Sequence, residues 1–374
     1  MFCFAKHLQM KNLFWAILLT IPCIADSQPV IPSPENIFII TTDGFRWQEV
    51  FNGADSALLF NPEYVKDTST QSSLYWDPSP LERRKKLFPF LWSYVAKAGQ
   101  LWGNRYYDNS VSVSNPYRFS YAGYNELFTG YPDPAIMRNR PKENRNDNLL
   151  AYLNSLPKYH NQVAVFGSWK LLSYILAESR NGLPVNCGYE PASADTLSIP
   201  EATVNFLQGN ISEKEEATRL DLLTYTLANE YVRRKHPRIV YLSLGETDEF
   251  AHHRRYDRYL AMANQFDKIL SELWQLVQED EFYKNKTAFI LTTDHGRGKR
   301  PDQWAVHGPF TRGSDETWLV QWGAGIESIG EVKQKAEIFT AELAQTIAGY
   351  LGEQFNASHP VSGLAYTLLP VQSR

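Results

Sequence analysis

Four short runs rich in β-branched and aromatic residues, Asn36–Thr42, Gln162–Gly167, Arg238–Leu244 and Thr287–Thr293, constrain this chain more than any other feature. Each is apolar with little alternation, as strands covered on both faces are. Amphipathic stretches fill the gaps. In the clearest, about Tyr256 to Gln278, Leu260, Ala263, Phe266, Ile269, Leu270, Leu273 and Val277 recur at helical spacing. Buried strands alternating with helices predict an α/β fold, a mostly parallel central sheet flanked by helices. The stretch about 181–215 has weaker periodicity and several turn residues, so it reads as a small cap or insertion rather than a second domain. There is no internal repeat and no low-complexity segment.

The first 25 residues read as an export signal. Lys6 and Lys11 supply positive charge, an apolar run follows from Leu13, and Cys23-Ile-Ala25 offers a small-residue cleavage site. The run is short for a spanning helix, so the competing reading is an uncleaved N-terminal anchor. A lipid anchor on Cys23 is a weak alternative, because Pro22 stands where a small residue is expected. Residues 26–35 contain Gln28-Pro-Val-Ile-Pro-Ser-Pro and read as a stiff linker. The expected location is therefore exported, either periplasmic or secreted, with no transmembrane span beyond the signal. Of three cysteines only Cys187 lies in the body of the chain, which excludes a disulfide framework and a cysteine metal cage. A formal net charge of −4 leaves no basic excess for a nucleic-acid groove.

Chemistry-bearing residues gather where three of the strands end. The first strand runs into Asp43-Gly44, the third into Glu246-Thr-Asp248-Glu-Phe-Ala-His252, and the fourth into Asp294-His295-Gly296, with His307-Gly308 close behind. The carboxyl ends of strands form the ligand-binding edge of an open α/β sheet. A single aspartate there is ordinarily a cap. Three of them, two with histidine partners, point to metal binding. Asp248 and His252 are four residues apart and share one helical face. His253 is expected to be exposed or to support its neighbours. Imidazole and carboxylate without thiolate suit zinc, with manganese the harder alternative.

A nucleophile is also available. Ser114 and Ser120 precede a segment with helical character that ends at Thr129-Gly130. A serine at a helix N-terminus is usually a cap, but beside a metal cluster the same position favours an anionic oxygen or a phosphate.

With these residues in place the chain resembles the alkaline phosphatase superfamily, in particular its nucleotide pyrophosphatase/phosphodiesterase-like branch. The motifs occur in the family's order. Asp43 matches the aspartate after the first strand, Asp248 and His252 the D-x-x-x-H pair, Asp294-His295 the D-H pair, and His307 the last histidine. Ser120 to Gly130 matches the family's spacing from nucleophile to Thr-Gly, whereas Ser114 does not. The resemblance implies a single alkaline phosphatase-like catalytic domain over residues 36–374. It implies two divalent ions, one held by Asp248, His252 and His307, the other by Asp43, Ser120, Asp294 and His295. It further implies attack of Ser120 on phosphorus, a phosphoserine intermediate and its hydrolysis, on a small-molecule phosphoester.

Two departures from the family pattern stand out. Where the phosphodiesterase branch has an asparagine three residues after the nucleophile, this chain has Gly123, so a backbone N–H there, Asn125 or an arginine is expected to take the phosphate oxygen. Arg46, Arg118 and Arg297, each within a few residues of an expected ligand, are the arginine candidates. Ser114-Asn-Pro-Tyr-Arg118 also matches the sulfatase pattern [C/S]-x-P-x-R, but Asp294-His295 replaces the Asp-Asn of the sulfatase calcium site, and imidazole is a poor calcium ligand. The expected function is thus an exported two-metal phosphatase or phosphodiesterase. The alternatives are a sulfatase-like or phosphonate hydrolase and, of another class, an inactive binding module on the same fold.

Overall fold

The computed structural model describes residues 33–193, 196–211 and 218–369. The expected signal peptide, Cys23 and the linker up to residue 32 lie outside these. Among the described residues, no helix is long and apolar enough to cross a membrane.

The described residues form eleven strands: β1 Asn36–Thr42, β2 Gly99–Trp102, β3 Asn109–Ser112, β4 Val163–Gly167, β5 Val185–Cys187, β6 Ile239–Leu244, β7 Thr287–Thr292, β8 Glu316–Thr317, β9 Leu319–Gly323, β10 Gly330–Glu331 and β11 Ala336–Phe339. Eight of them form one sheet in the order β10-β2-β9-β7-β1-β6-β4-β5, and β11-β3-β8 form a small second sheet. From β7 through β5 the strands are parallel, and only β9 runs against its neighbours in the large sheet. The four strands expected from the sequence are β1, β4, β6 and β7, lying side by side at its centre. The strands β9, β2 and β10 beyond β7 are short and broken by glycine, glutamine or glutamate, so the sequence does not single them out.

Register positions the site. β1 lies between β6 and β7, with Thr42 opposite Leu244 and Thr41 opposite Thr292. All three strands therefore stop level, and the residues that follow them, Asp43, Glu246–Asp248 and Asp294, emerge at one edge.

Because successive strand side chains point to opposite faces, β1 divides its residues between two cores. Phe38 and Ile40 join the layer beneath the helix Tyr256–Glu279, whose Leu260, Ala263, Phe266, Leu270 and Leu273 are buried. Ile37 and Ile39 join the opposite layer, packed by Tyr124, Leu127 and Phe128 of the helix Ser120–Thr129 and by Leu343 and Ile347 of the helix Leu343–Tyr350. Each fully buried large apolar side chain contributes roughly 1.5–3 kcal/mol before ordering entropy is counted. Both faces of the sheet are thus fixed rigidly behind the edge that bears the aspartates.

The stretch about 181–215 adds to the sheet's far edge. It supplies β5 and a helix, Ile199–Gly209, capped reciprocally by Ser198 and Glu201. Glu201 also pairs with Arg234 of the helix Asp221–Lys235. Cys187 is a buried free thiol.

Candidate active site

Asp43 follows β1 directly, and its main chain is held on both sides: its N–H donates to Leu244 O at 2.9 Å and its C=O accepts from Thr247 Oγ1 at 2.6 Å. Gly44 N–H donates to Asp294 Oδ1 at 2.9 Å, tying the ends of β1 and β7 together. The side chain of Asp43 meets Ser120 Oγ at 3.4 Å and accepts from Tyr124 OH at 3.1 Å.

Ser120 opens its helix but does not cap it. The preceding residue, Phe119, is extended, makes no side-chain cap bond, and so leaves the helix N-terminus facing the cleft. Ser120 Oγ instead points at Asp43 and, at 3.3 Å, at His295 Nε2. Gly130, at φ 65°, ends the helix as a left-handed C-cap.

The donor set fits divalent cations. His295 Nδ1 lies 2.9 Å from the carbonyl of Gly296, which can only accept, so Nδ1 carries the proton and Nε2 presents a lone pair. That lone pair faces Asp294 Oδ2 at 3.4 Å and Asp43 Oδ1 at 3.5 Å. Asp294 Oδ2 is buried with no hydrogen-bond partner. Electron pairs aimed at one another in a buried site form an arrangement that suits a cation between them. A second group repeats the pattern. His307 Nδ1 sits 2.9 Å from Arg118 O, leaving Nε2 to face His252 Nε2 at 3.2 Å, while His252 Nε2 lies 3.1 Å from Asp248 Oδ2. The rings of His295 and His307 stack at 3.8 Å, bringing the two groups side by side. His253, 58% exposed, points away toward Glu249.

Without cations these groups are electrostatically strained. Burial, reinforced by the neighbouring Asp294 carboxylate, pushes Asp43 up to about 7, and burial pushes Asp294 up to about 7. Burial holds His295 below the usual imidazole range, and burial with the adjacent His295 holds His307 well below it, so both rings are neutral and free to ligate.

A chain of contacts aims the nucleophile segment. The buried carboxylate of Glu126 accepts from Ser114 N–H at 2.7 Å and from Asn115 N–H at 2.8 Å. Asn115 Oδ1 in turn accepts from Arg118 N–H at 2.7 Å. Arg118 adopts φ 56°, which turns its carbonyl toward His307. Ser114 is exposed and its N–H serves this tether, so the serine of the sulfatase-like pattern is not the one at the cluster.

The expected substrate contacts need correction. Arg46 is buried in a two-pronged ion pair with Glu49, at 2.7 and 2.9 Å. Arg297, also buried, is spent on Gly44 O, Ala305 O and Asp248. Asn125 donates to Tyr131 O and accepts from Asn144 and Asn146, a closed structural network. Gly123 uses its N–H within the helix, bonding Phe119 O at 2.9 Å. A Cβ on Gly123 would fall 2.2 Å from Asp294 O, so the helix packs directly on the Asp294 backbone and no asparagine fits there. Arg118 alone keeps a partly exposed side chain, 3.6 Å from Asp315.

A cavity of about 190 Å³ opens over Asp43, Ser120 and Asp248. The rest of its wall includes Asn139, Trp169, Thr218 and Glu249, none of which the sequence pattern had singled out. An isolated bridge between Trp169 and Thr218 staples two of these together. Tyr124 is a buried donor to Asp43.

Comparison with known proteins agrees with this architecture. The chain covers 91% of its length on the wild-type alkaline phosphatase PafA, and all of that chain, with a TM-score of 0.56 at 10% identity. A phosphonate monoester hydrolase of Agrobacterium radiobacter aligns over 90% of this chain and 77% of its own, with a TM-score of 0.54 at 13% identity. At such identities the likeness is one of fold, which is alkaline phosphatase-like. Among curated proteins, the GPI ethanolamine phosphate transferase 1 of Aspergillus oryzae is 32% identical over 127 residues, 30% of this chain and 12% of that protein. A phosphopentomutase of Yersinia pseudotuberculosis is 29% identical over 165 residues, 42% of this chain and 35% of that protein. The chain thus spans a minor part of these relatives. The family model described as type I phosphodiesterase / nucleotide pyrophosphatase, in contrast, matches residues 59–346. With that match covering most of its length, the chain belongs to the type I phosphodiesterase / nucleotide pyrophosphatase family.

Proposed function

We propose that this protein is an exported, two-metal hydrolase of phosphodiesters in which Ser120 is the nucleophile. The observation that carries the reading is the position of Ser120 Oγ, at a helix N-terminus and 3.3–3.4 Å from His295 Nε2 and Asp43 Oδ1. Asp43, Ser120, Asp294 and His295 would hold one divalent ion and Asp248, His252 and His307 the other, with zinc the first choice for this donor set and manganese the second. When bound, such ions supply Lewis-acid charge and lower the pKa of a coordinated hydroxyl.

The chain's own residues then do the following. The Ser120 hydroxyl is oriented by its hydrogen bond to Asp43 Oδ1; it gives up its proton to solvent water as Oγ forms a bond to phosphorus, while the P–O bond to the ester oxygen breaks in line and that oxygen leaves with a proton from water. The N-terminal end of the helix Ser120–Thr129 favours the negative charge of the phosphoryl oxygens. Water then cleaves the phosphoserine, returning Ser120. The names of the curated relatives, an ethanolamine phosphate transferase and a phosphopentomutase, are consistent with phosphate-group chemistry.

Preference for diesters follows from charge. No arginine or lysine is among the described residues that line the cavity over Ser120, so a doubly charged monoester finds no bidentate clamp. A singly charged diester needs less. Parallel measurement of kcat/KM on an aryl phosphodiester, the matching monoester and the matching sulfate tests this. The diester is expected to lead by at least roughly tenfold, about 1.4 kcal/mol of transition-state discrimination; a sulfate leading would overturn the reading. Export rests on the N-terminal sequence, and N-terminal sequencing of the mature protein should begin after Ala25.

A further inference from the structure

We propose that Arg297 is a positioning residue whose guanidinium, anchored on Gly44 O and Ala305 O, presents Asp248 to its cation. The assignment rests on the two-metal reading above. Arg297 has a fully buried side chain, and its donors are distributed over three separate ligand-bearing segments. Nε donates to Gly44 O at 2.8 Å, next to Asp43; Nη1 donates to Ala305 O at 2.9 Å, two residues before His307; Nη2 donates to Asp248 O at 3.3 Å and to Asp248 Oδ1. Segments far apart in sequence thereby meet on one planar fork. A guanidinium offers five donors in fixed directions, which an ammonium cannot reproduce.

The surroundings are built to admit that fork. Gly44 has φ +56°, and a Cβ on it would lie 2.7 Å from Asp248 Oδ1 and 2.9 Å from Arg297 Nη2. Only glycine gives both the left-handed backbone and the space. The guanidinium thus orients a carboxylate whose Oδ2 lies 3.1 Å from His252 Nε2 and whose Oδ1 lies 3.9 Å from His307 Nε2.

Two effects of Arg297 oppose each other. Its positive charge repels a nearby dication, so simple Coulomb reasoning says that removing it strengthens metal binding. Its geometry holds the carboxylate of Asp248 in place, so losing the fork weakens binding at the site of Asp248, His252 and His307. Groups that orient ligands typically change metal affinity by about 10–100-fold when replaced. Arg297→Lys separates the two effects, because it keeps the charge and loses the fork.

The test is metal binding by chelator competition, with zinc and with Co(II), on wild type, R297K and R297Q, and on D248N with and without R297K. Thermal melting of each metal-free protein reports folding, and R297Q serves if the lysine variant does not fold. In R297K the affinity for one of two ions is expected to fall roughly tenfold with a changed Co(II) absorption band, while the other ion is held as before. In the D248N background R297K is expected to add nothing further, since the residue acts through Asp248. Wild-type affinity and an unchanged Co(II) band in R297K or R297Q would overturn the assignment, as would an equal further loss in D248N. A wild-type protein that binds no pair of divalent ions would instead sink the two-metal reading itself, and this assignment with it.

Discussion

Ser120 Oγ lies 3.3 Å from His295 Nε2, although 175 residues separate the two in the chain. One residue is brought by a helix N-terminus and the other by the end of β7, and nothing but the sheet and its covering helix joins them. Replacing Ser120 by Ala is therefore expected to cut kcat by at least about a thousandfold, on the order of 4 kcal/mol in transition-state free energy, while Ser114→Ala stays within a few fold of wild type. Steady-state assays on an aryl phosphodiester decide this, and the reverse pattern would reassign the nucleophile.

Metal dependence is expected from the lone pairs that converge around Asp294 Oδ2, which no donor among the described residues satisfies. A strong chelator should abolish turnover, and added zinc or manganese should restore it. Elemental analysis of the restored protein is expected to give close to two ions per chain. One calcium per chain would contradict the reading.

Gly123 carries a packing prediction. A methyl group there would sit 2.2 Å from the Asp294 carbonyl oxygen, well inside contact distance, and that oxygen belongs to backbone that cannot swing aside. Gly123→Ala should therefore push the Ser120 helix away from β7. Destabilisation of about 1–3 kcal/mol in urea unfolding is expected, with a disproportionate loss of activity because the nucleophile moves with the helix. Unchanged stability and activity would mean that the helix has more freedom than this contact allows.

Asp267 provides a pH test away from the metal ligands. It sits on the helix Tyr256–Glu279 and accepts the N–H groups of Phe90 and Leu91 at 2.7 and 2.8 Å. Burial nonetheless dominates and raises its carboxyl from an ordinary 3.8 to about 7. The folded state then binds the proton more tightly than the unfolded chain, so this contribution to stability is present at low pH and is lost as pH rises through about 7. The stability advantage of wild type over Asp267→Asn should shrink between pH 5 and pH 8 in denaturant titrations. A constant difference across that range would show that Asp267 is ionised throughout.

The metal-ligand candidates were legible because their chemistry is narrow and their side chains short. Aspartate and serine reach only a bond or two beyond the backbone, so knowing that Asp43 and Asp294 follow strands nearly locates their oxygens. Arginine is different. Arg46 and Arg297 stand beside ligands in sequence and were read as phosphate contacts, yet both turn inward. A long flexible side chain goes to whichever buried acceptor the fold supplies, here Glu49 for one and Gly44 O, Ala305 O and Asp248 for the other. The cavity wall was illegible for a related reason: Asn139, Trp169, Thr218 and Glu249 come from separate loops, and no periodicity links them.

By itself, the sequence determined the four central strands, the long amphipathic helix and the residue types able to bind cations, since burial pattern and ligand chemistry are local properties of the chain. Tertiary structure alone decided that β1, β6 and β7 end level, that Ser120 Oγ comes within 3.4 Å of both Asp43 and His295, and that Gly123 leaves no room for a side chain. Those outcomes depend on strand register and on the depth at which one helix packs, quantities set by contacts between segments 77 or more residues apart.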